Sequence, residues 1–227
     1  FIEARKSRDN PYRDYYIWRP GRDGREPNNW ESFFGGSAWA WDETTGQYYL
    51  HEFHEKQPDL NWRNPEVVDA MHDVLRFWLD RGVDGFRMDV VHHIMKHPGM
   101  PDNPMVPRSD VEASGEDADM VQVHKYDVAQ PEVHAHLRTF RRIVDSYDGD
   151  RVTIGETWFT DPHELSTYYG EWLDELHLPF NFNLLMQAWN AAMMKQVIEG
   201  YYQALPEGAW PNFVLGNHDT HRLATRY

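Results

Sequence analysis

Three short, largely apolar segments in this 227-residue chain each end at an acidic residue. The acids are Asp89, Glu156 and Asp219, and the segments are residues 85–89, 152–156 and 213–219. Apolar or alternating runs of this length, bounded by glycine, are typical of buried strands. The carboxyl ends of parallel strands meet at one end of an α/β barrel, which is where such barrels build their chemistry. The pattern therefore predicts a parallel α/β barrel with three acids at that end.

The first of these segments also places two charges on one face of a strand. Arg87 and Asp89 are two residues apart, so their side chains point to the same side of the sheet. A barrel interior does not tolerate an unpaired charge. The two residues therefore either form a structural pair at a strand edge or serve a functional site. The two further acidic strand ends favour a site.

The intervals between the acids fit a succession of βα units. Periodicity predicts helices over residues 64–81, 131–147 and 188–205 and a strand over residues 176–185. Two βα units of about 30 residues each fill the distance from Glu156 to Asp219. The longer stretch between Asp89 and Glu156 holds one helix and a polar loop over residues 92–130, which we expect to shape the site. The order is that of a partial (β/α)8 barrel over residues 61–227.

Residues 1–60 differ from the rest of the chain. They are rich in glycine, proline, aspartate and aromatic residues without a sustained helical period, which predicts an irregular inserted small domain. The aromatic rings could stack on the apolar faces of sugars and form a wall of a cleft. Alternatively they hold a small subdomain together, which is the expected role of most single rings.

Four motifs carry a resemblance to a known family. The blocks Asp-Gly-Phe-Arg-Met-Asp (84–89), Gly-Glu-Thr-Trp (155–158) and Asn-His-Asp (217–219) resemble the second, third and fourth signature regions of the α-amylase family, glycoside hydrolase family thirteen. Gln-Pro-Asp-Leu-Asn (57–61) resembles the fifth region in the form typical of oligo-1,6-glucosidases and α-glucosidases. The resemblance implies that residues 1–60 are the small domain between barrel strand 3 and helix 3. It also implies that residues 61–227 contain about strands 4–7.

The resemblance assigns a role to each acid. Asp89 would be the nucleophile, Glu156 the general acid/base, and Asp219 the third carboxylate that holds sugar hydroxyls and stabilises the transition state. A retaining glycosidase needs such an acid and nucleophile about 5–5.5 Å apart. Arg87, on the same face, would keep Asp89 ionised. Glu156 is followed by a threonine and a tryptophan rather than by a cation, which suits an acid catalyst.

Four further residues are expected to bind the sugar. His218 would hydrogen-bond the same sugar as Asp219, and Arg222 matches a position near the nonreducing end in related α-glucosidases, unless it is simply a solvated charge. Val90 resembles the residue found in members that prefer α-1,6 bonds. His93 looks more like the amylase histidine that lines the leaving-group side. These signals differ, so α-1,6 and α-1,4 linkages both remain open.

The expected activity is that of an α-glucosidase of the oligo-1,6-glucosidase type, acting on short α-glucoside oligosaccharides through a covalent glycosyl-enzyme. Sucrose isomerases and trehalose synthases use the same chemistry and differ in whether water or a sugar accepts the glycosyl group. The heavy chains of amino-acid transporters share the fold but bind without catalysis, and they usually lack the catalytic acids. The three acids present here favour an enzyme.

Composition excludes several other classes. A formal net charge of −15 argues against nucleic-acid binding. The chain has no run of 18 apolar residues that would predict a membrane span, and the histidines of the 92–130 loop lack the spacing of a closed metal site. Neither a metal nor a cofactor is therefore expected.

Two expectations concern the context of the chain. It has no cysteine, which excludes disulfides and thiol catalysis and favours a cytoplasmic location. It begins at Phe1 and ends at Tyr227, directly after a catalytic-looking strand, so we expect an internal fragment of a longer protein. Such a fragment would be inactive in isolation, because a barrel without its other strands leaves sheet edges unpaired.

Overall fold

The computed structural model describes residues 1–108 and 120–227, and positions 109–119 of the predicted loop lie outside the described residues. The chain divides into two compact units. Unit 1 comprises Phe1–Met71 and His93–Gln130, and unit 2 comprises His72–His92 and Pro131–Tyr227. The domain boundary expected at residue 60 stays a prediction.

In chain order the strands and helices are β1 (Trp18–Arg19), β2 (Trp39–Asp42), β3 (Gln47–Leu50), α1 (Pro65–Leu79), β4 (Gly85–Met88), β5 (Met105–Pro107), β6 (Met120–Gln122), α2 (Val133–Asp145), β7 (Val152–Gly155), α3 (Pro162–Ser166), β8 (Leu178–Pro179), α4 (Ala191–Ala204) and α5 (Leu223–Arg226). Single 3-10 turns lie at Arg13–Tyr15, Val91–His93 and Thr167–Tyr169.

Unit 1 contains a small antiparallel sheet in the order β1-β3-β2 and a second antiparallel pair, β5-β6. Its core is formed by the buried side chains of Ile17, Trp30, Ala38, Trp39 and Leu50. Most of residues 1–60 is loop, as expected, but these strands were not predicted, because strands of two to four residues are too short to show alternation in a sequence. Trp30 and Trp39 hold the unit together, whereas Phe34 and Trp41 are exposed.

Unit 2 contains a parallel sheet in the order β4-β7-β8, which confirms the α/β class for this part of the chain. Gly85 pairs with Val152 at the start of the β4–β7 ladder. A Cβ atom at Gly85 would lie 2.0 Å from the Val152 carbonyl oxygen, so only glycine allows the two strands this close. Leu79 of α1 packs with Ile143 and Val144 of α2 in one buried cluster beneath the sheet residue Phe86.

The three predicted helices are confirmed, each with slightly narrower bounds. Asn64 begins α1, since its side-chain oxygen accepts the backbone N–H of Glu66 at 2.9 Å. Asn190 caps α4 in the same way, accepting from Ala192 and Met193. A polar oxygen at the first turn satisfies N–H groups that have no partner inside the helix.

Two predicted strands are shorter than their apolar runs suggested. Within residues 176–185 only Leu178–Pro179 form strand β8. The run at 213–219 forms one parallel bridge, Asn181 to Phe213, and the Val214 N–H donates to the Asn181 carbonyl at 3.0 Å. Within the described chain no further strand flanks residues 215–219, so they lack a ladder and follow an irregular path. The numbering of these segments as barrel strands 4–7 stays a prediction.

Candidate active site

Arg87 joins the first two acids. One amino group of its guanidinium, Nη1, donates to Asp89 Oδ1, and the other, Nη2, donates to Glu156 Oε2 at 2.7 Å. The register explains the meeting, since Met88 of β4 pairs with Gly155 of β7 and the following residue of each strand is the acid. Two carboxylates far apart in sequence therefore contact the same cation. We call Asp89 and Glu156 the acid pair.

Glu156 is almost enclosed, with 6% of its side chain exposed. Its Oε2 also accepts the backbone N–H of Val90 at 3.3 Å, and its Oε1 accepts the indole N–H of Trp158 at 3.0 Å. The expectation that no cation lies beside Glu156 is wrong. It considered only sequence neighbours, whereas the guanidinium of Arg87 arrives from the adjacent strand.

Asp89 is the open member of the acid pair, with 74% of its side chain exposed. Partial burial acts to raise the pKa of Asp89, but hydrogen bonds with Arg87 and Glu156 and the positive charges of Arg87 and His218 together hold it below its usual value. The carboxylate is therefore ionised and accessible at neutral pH, as a nucleophile requires.

Val90 follows Asp89 in a strained conformation. Its φ is +33°, a region that β-branched residues rarely adopt. The turn directs the Val90 N–H towards Glu156. Strain of this kind is often stored at functional sites, where surrounding contacts maintain it.

Asp219 and its neighbours lie in a turn organised by Asn217. The Asn217 side-chain oxygen accepts the N–H of Asp219 at 3.1 Å and the N–H of Thr220 at 2.9 Å. His218 Nε2 lies 3.4 Å from Asp219 Oδ1, and both side chains are exposed. His218 is also among the groups that lower the pKa of Asp89 electrostatically. Arg222 is exposed at the start of α5.

His93 is not on an open surface. It lies within unit 1, where its Nδ1 is 2.8 Å from Glu52 Oε2 and the rings of Phe33 and Phe53 pack against it. Burial, followed by the positive charge of Lys96, lowers the pKa of His93 to about 3. The histidine is therefore neutral at ordinary pH.

Sequence reasoning missed an ionic cluster inside unit 1. Lys96 Nζ lies 2.7 Å from Glu52 Oε2 and 3.2 Å from Asp59 Oδ1, and Lys96 also donates to the His93 carbonyl. Burial alone would lower the pKa of Lys96, but the charges of Asp59 and Glu52 outweigh it and raise the pKa. We call Glu52, Asp59, His93 and Lys96 the buried cluster. Asp59 belongs to the 57–61 motif, so this motif is the sequence feature that could have indicated the cluster.

Two observations concern other classes of site. Among residues 1–108 and 120–227, no three His, Asp or Glu side chains gather closely enough to hold a metal ion. The helices described for this chain include none that is long and apolar enough to cross a bilayer.

Comparison with known proteins gives consistent matches along the whole chain. The family described as "Alpha amylase, catalytic domain" matches residues 1–227. An oligo-1,6-glucosidase of Parageobacillus thermoglucosidasius is 43% identical over 240 residues, and the match covers 100% of this chain and 41% of the relative. The chain thus spans less than half the length of that relative.

Solved structures also match along the whole chain. The α-glucosyl transfer enzyme XgtA matches with a TM-score of 0.90 at 40% identity, covering 100% of this chain and 42% of that one. The trehalulose synthase MutB from Pseudomonas mesoacidophila MX-45 matches with a TM-score of 0.84 at 38% identity, covering 100% and 40%. A variant of MutB has been solved with its substrate sucrose. Because the family model matches residues 1–227, this chain belongs to the α-amylase family, glycoside hydrolase family thirteen.

Proposed function

We propose that this chain carries the catalytic acids of a retaining α-glucoside hydrolase that acts on the α-1,6 or α-1,4 bonds of short oligosaccharides. The observation that supports the proposal most directly is the acid pair, an exposed and an enclosed carboxylate bound to one guanidinium. The chain covers 41% of the oligo-1,6-glucosidase to which it is similar. The activity is therefore proposed for the natural protein that contains these residues.

The proposed reaction has two steps. In the first, an Asp89 carboxylate oxygen forms a bond to the anomeric carbon while the glycosidic bond breaks, and Glu156 gives its proton to the leaving oxygen. In the second, water attacks the anomeric carbon, its proton passes to Glu156, and the bond to Asp89 breaks. The two carboxyl groups return to their starting protonation states, and the sugar keeps its α configuration.

The remaining residues are proposed to hold the sugar. Asp219 and His218, which are exposed side by side, would bind hydroxyl groups near the reacting carbon. Arg222 would act at the nonreducing end, Val90 would influence the linkage through its position after the nucleophile, and His93 would act from the leaving-group side. The identification of residues 1–60 as an inserted small domain belongs to the same proposal.

Substitution of the two acids tests the proposal. In the natural protein that contains these residues, Asp89→Asn and Glu156→Gln should each lower kcat for isomaltose by about 10³-fold or more. Each substitution removes a group that acts in the transition state. Asp84→Asn is the matched control, since this acid near the start of β4 is 90% exposed and pairs with Arg151 at the surface. Full activity in Asp89→Asn would refute the nucleophile and leave the non-catalytic binding module as the better interpretation.

A second candidate is glycosyl transfer to a sugar instead of water. It is favoured by the likeness to an α-glucosyl transfer enzyme and to a trehalulose synthase. Both reactions share the same covalent intermediate and differ in the acceptor. Chromatography of the products from sucrose and from isomaltose distinguishes them, since free glucose indicates hydrolysis and a new disaccharide indicates transfer.

A further inference from the structure

Trp158 contacts the candidate acid directly, although the motif analysis considered it only as an uncharged neighbour of Glu156. Its indole N–H donates to Glu156 Oε1 at 3.0 Å. A hydrogen bond is stronger when its acceptor is charged, and a carboxyl group becomes charged as it gives up its proton. The contact therefore acts on the group whose orientation decides whether a proton can reach the leaving oxygen.

Trp158, which is 40% exposed, has a second contact besides Glu156. Its ring stacks on Phe182, with centroids 4.0 Å apart and planes 15° apart, and Phe182 is buried. The neighbouring Thr157 hydroxyl donates to the Phe180 carbonyl at 3.0 Å, which ties the end of β7 to the same segment. A stacked ring with an anchored backbone offers its N–H in one direction.

The two oxygens of Glu156 consequently have different partners. Oε1 faces the indole, and Oε2 faces Arg87 and the Val90 N–H. A carboxyl group held through both oxygens cannot rotate about its last bond without losing one of these contacts. The oxygen on the side of Arg87 is thereby kept in a defined direction.

We propose that Trp158 is a positioning residue, whose indole N–H holds the Glu156 carboxyl group in the orientation needed to protonate the leaving oxygen. This inference rests on the proposed acid/base role of Glu156. In the step concerned, the Glu156 proton passes to the glycosidic oxygen as the bond to the anomeric carbon breaks and the bond to Asp89 forms. Trp158 itself neither gains nor loses a proton.

The test compares a substrate that needs an acid with one that does not. Isomaltose has a sugar leaving group that must be protonated, whereas the fluoride of α-glucosyl fluoride leaves without a proton. Trp158→Phe retains a ring to stack on Phe182 but has no N–H. The quantity measured is the ratio of kcat/KM for isomaltose to kcat/KM for the fluoride, in which the fraction of folded enzyme cancels.

We expect Trp158→Phe to lower this ratio by about tenfold, the effect of losing one hydrogen bond to a group that becomes charged in the transition state. The matched control Trp172→Phe, at a well-exposed tryptophan of unit 2, should leave the ratio unchanged. An unchanged ratio in Trp158→Phe would overturn the inference. If that variant gives no soluble protein, Trp158→Leu also lacks the donor and is judged by the same ratio.

Glu156→Gln separates this inference from the proposed function. It should lower the ratio by about 10³-fold, because it removes the acid itself. If Glu156→Gln leaves the ratio unchanged, the acid/base assignment is wrong and the inference on Trp158 is overturned with it. If Glu156→Gln lowers the ratio and Trp158→Phe does not, only the role of Trp158 is refuted.

Discussion

The buried cluster of unit 1 and the acid pair of unit 2 with its Arg87 have the same components in different surroundings. Each places two carboxylates around one cation, Lys96 in the first and Arg87 in the second. The Lys96 side chain is 3% exposed, whereas Asp89 of the acid pair is 74% exposed. Buried opposite charges stay together because separating them costs free energy, whereas an exposed charge can exchange its protein partner for a ligand. The first arrangement holds the fold, and the second is suited to chemistry.

The largest effect on stability is expected where a cation leaves the buried cluster. Lys96→Met should lower the free energy of unfolding by about 3–5 kcal/mol, because Asp59 loses its counter-charge and the enclosed Glu52, whose pKa burial already raises, must stay charged without a partner or take up a proton. Urea unfolding measures the change. Lys195→Met is the matched control, since Lys195 pairs with Glu199 on an exposed face of α4 and should change stability by less than about 0.5 kcal/mol. Equal effects in the two variants would contradict the distinction between enclosed and open charges.

A second effect on the free energy of unfolding should appear at acidic pH. The unfolded chain binds a proton at His93 below about pH 6.5, whereas the folded chain does so only near pH 3. The stability contributed by neutral His93 is thus fully present above pH 6.5 and is lost as the pH falls towards 3, by about 1.4 kcal/mol per pH unit. His93→Gln should reduce the slope of unfolding free energy against pH between 6 and 4. A slope equal to that of the native protein would show that His93 is not enclosed as described.

A smaller effect concerns strain beside the acid pair. Val90→Gly should raise the free energy of unfolding by about 1 kcal/mol, because glycine adopts a φ of +33° without steric cost. It should also lower kcat, since a more flexible backbone holds the Val90 N–H less firmly on Glu156. Thermal unfolding and steady-state kinetics test the two effects. A loss of stability would mean that side-chain contacts of Val90 outweigh the strain.

The smallest effect on stability is expected at Asp89, the proposed nucleophile. Asp89→Asn should change the free energy of unfolding by less than about 0.5 kcal/mol, because its pair with Arg87 is open to solvent. The same substitution is expected to abolish activity, so stability and function would separate at this residue. A loss of several kcal/mol would place Asp89 with the structural charges of the buried cluster.

The sequence predicted the helices better than it predicted the strands. The helix that became α1 was recognisable because its apolar period, capping Asn64 and terminal Gly82 all act locally. The run ending at Asp219 forms only one bridge, since a strand depends on a neighbouring chain that its own sequence does not specify. The motif identified Glu156, but not its contact with Arg87, which depends on the register of two strands.

What the linear sequence settled is the identity of the chemical groups and the family to which they belong, because the motifs bring together residue types that glycosidic chemistry requires. What folding alone decided is which of those groups share a partner and which are enclosed. Arg87 between two acids, Trp158 on Glu156, and Lys96 among carboxylates are all contacts between distant positions. Their energies depend on burial and distance, and neither is a property of neighbouring residues along a chain.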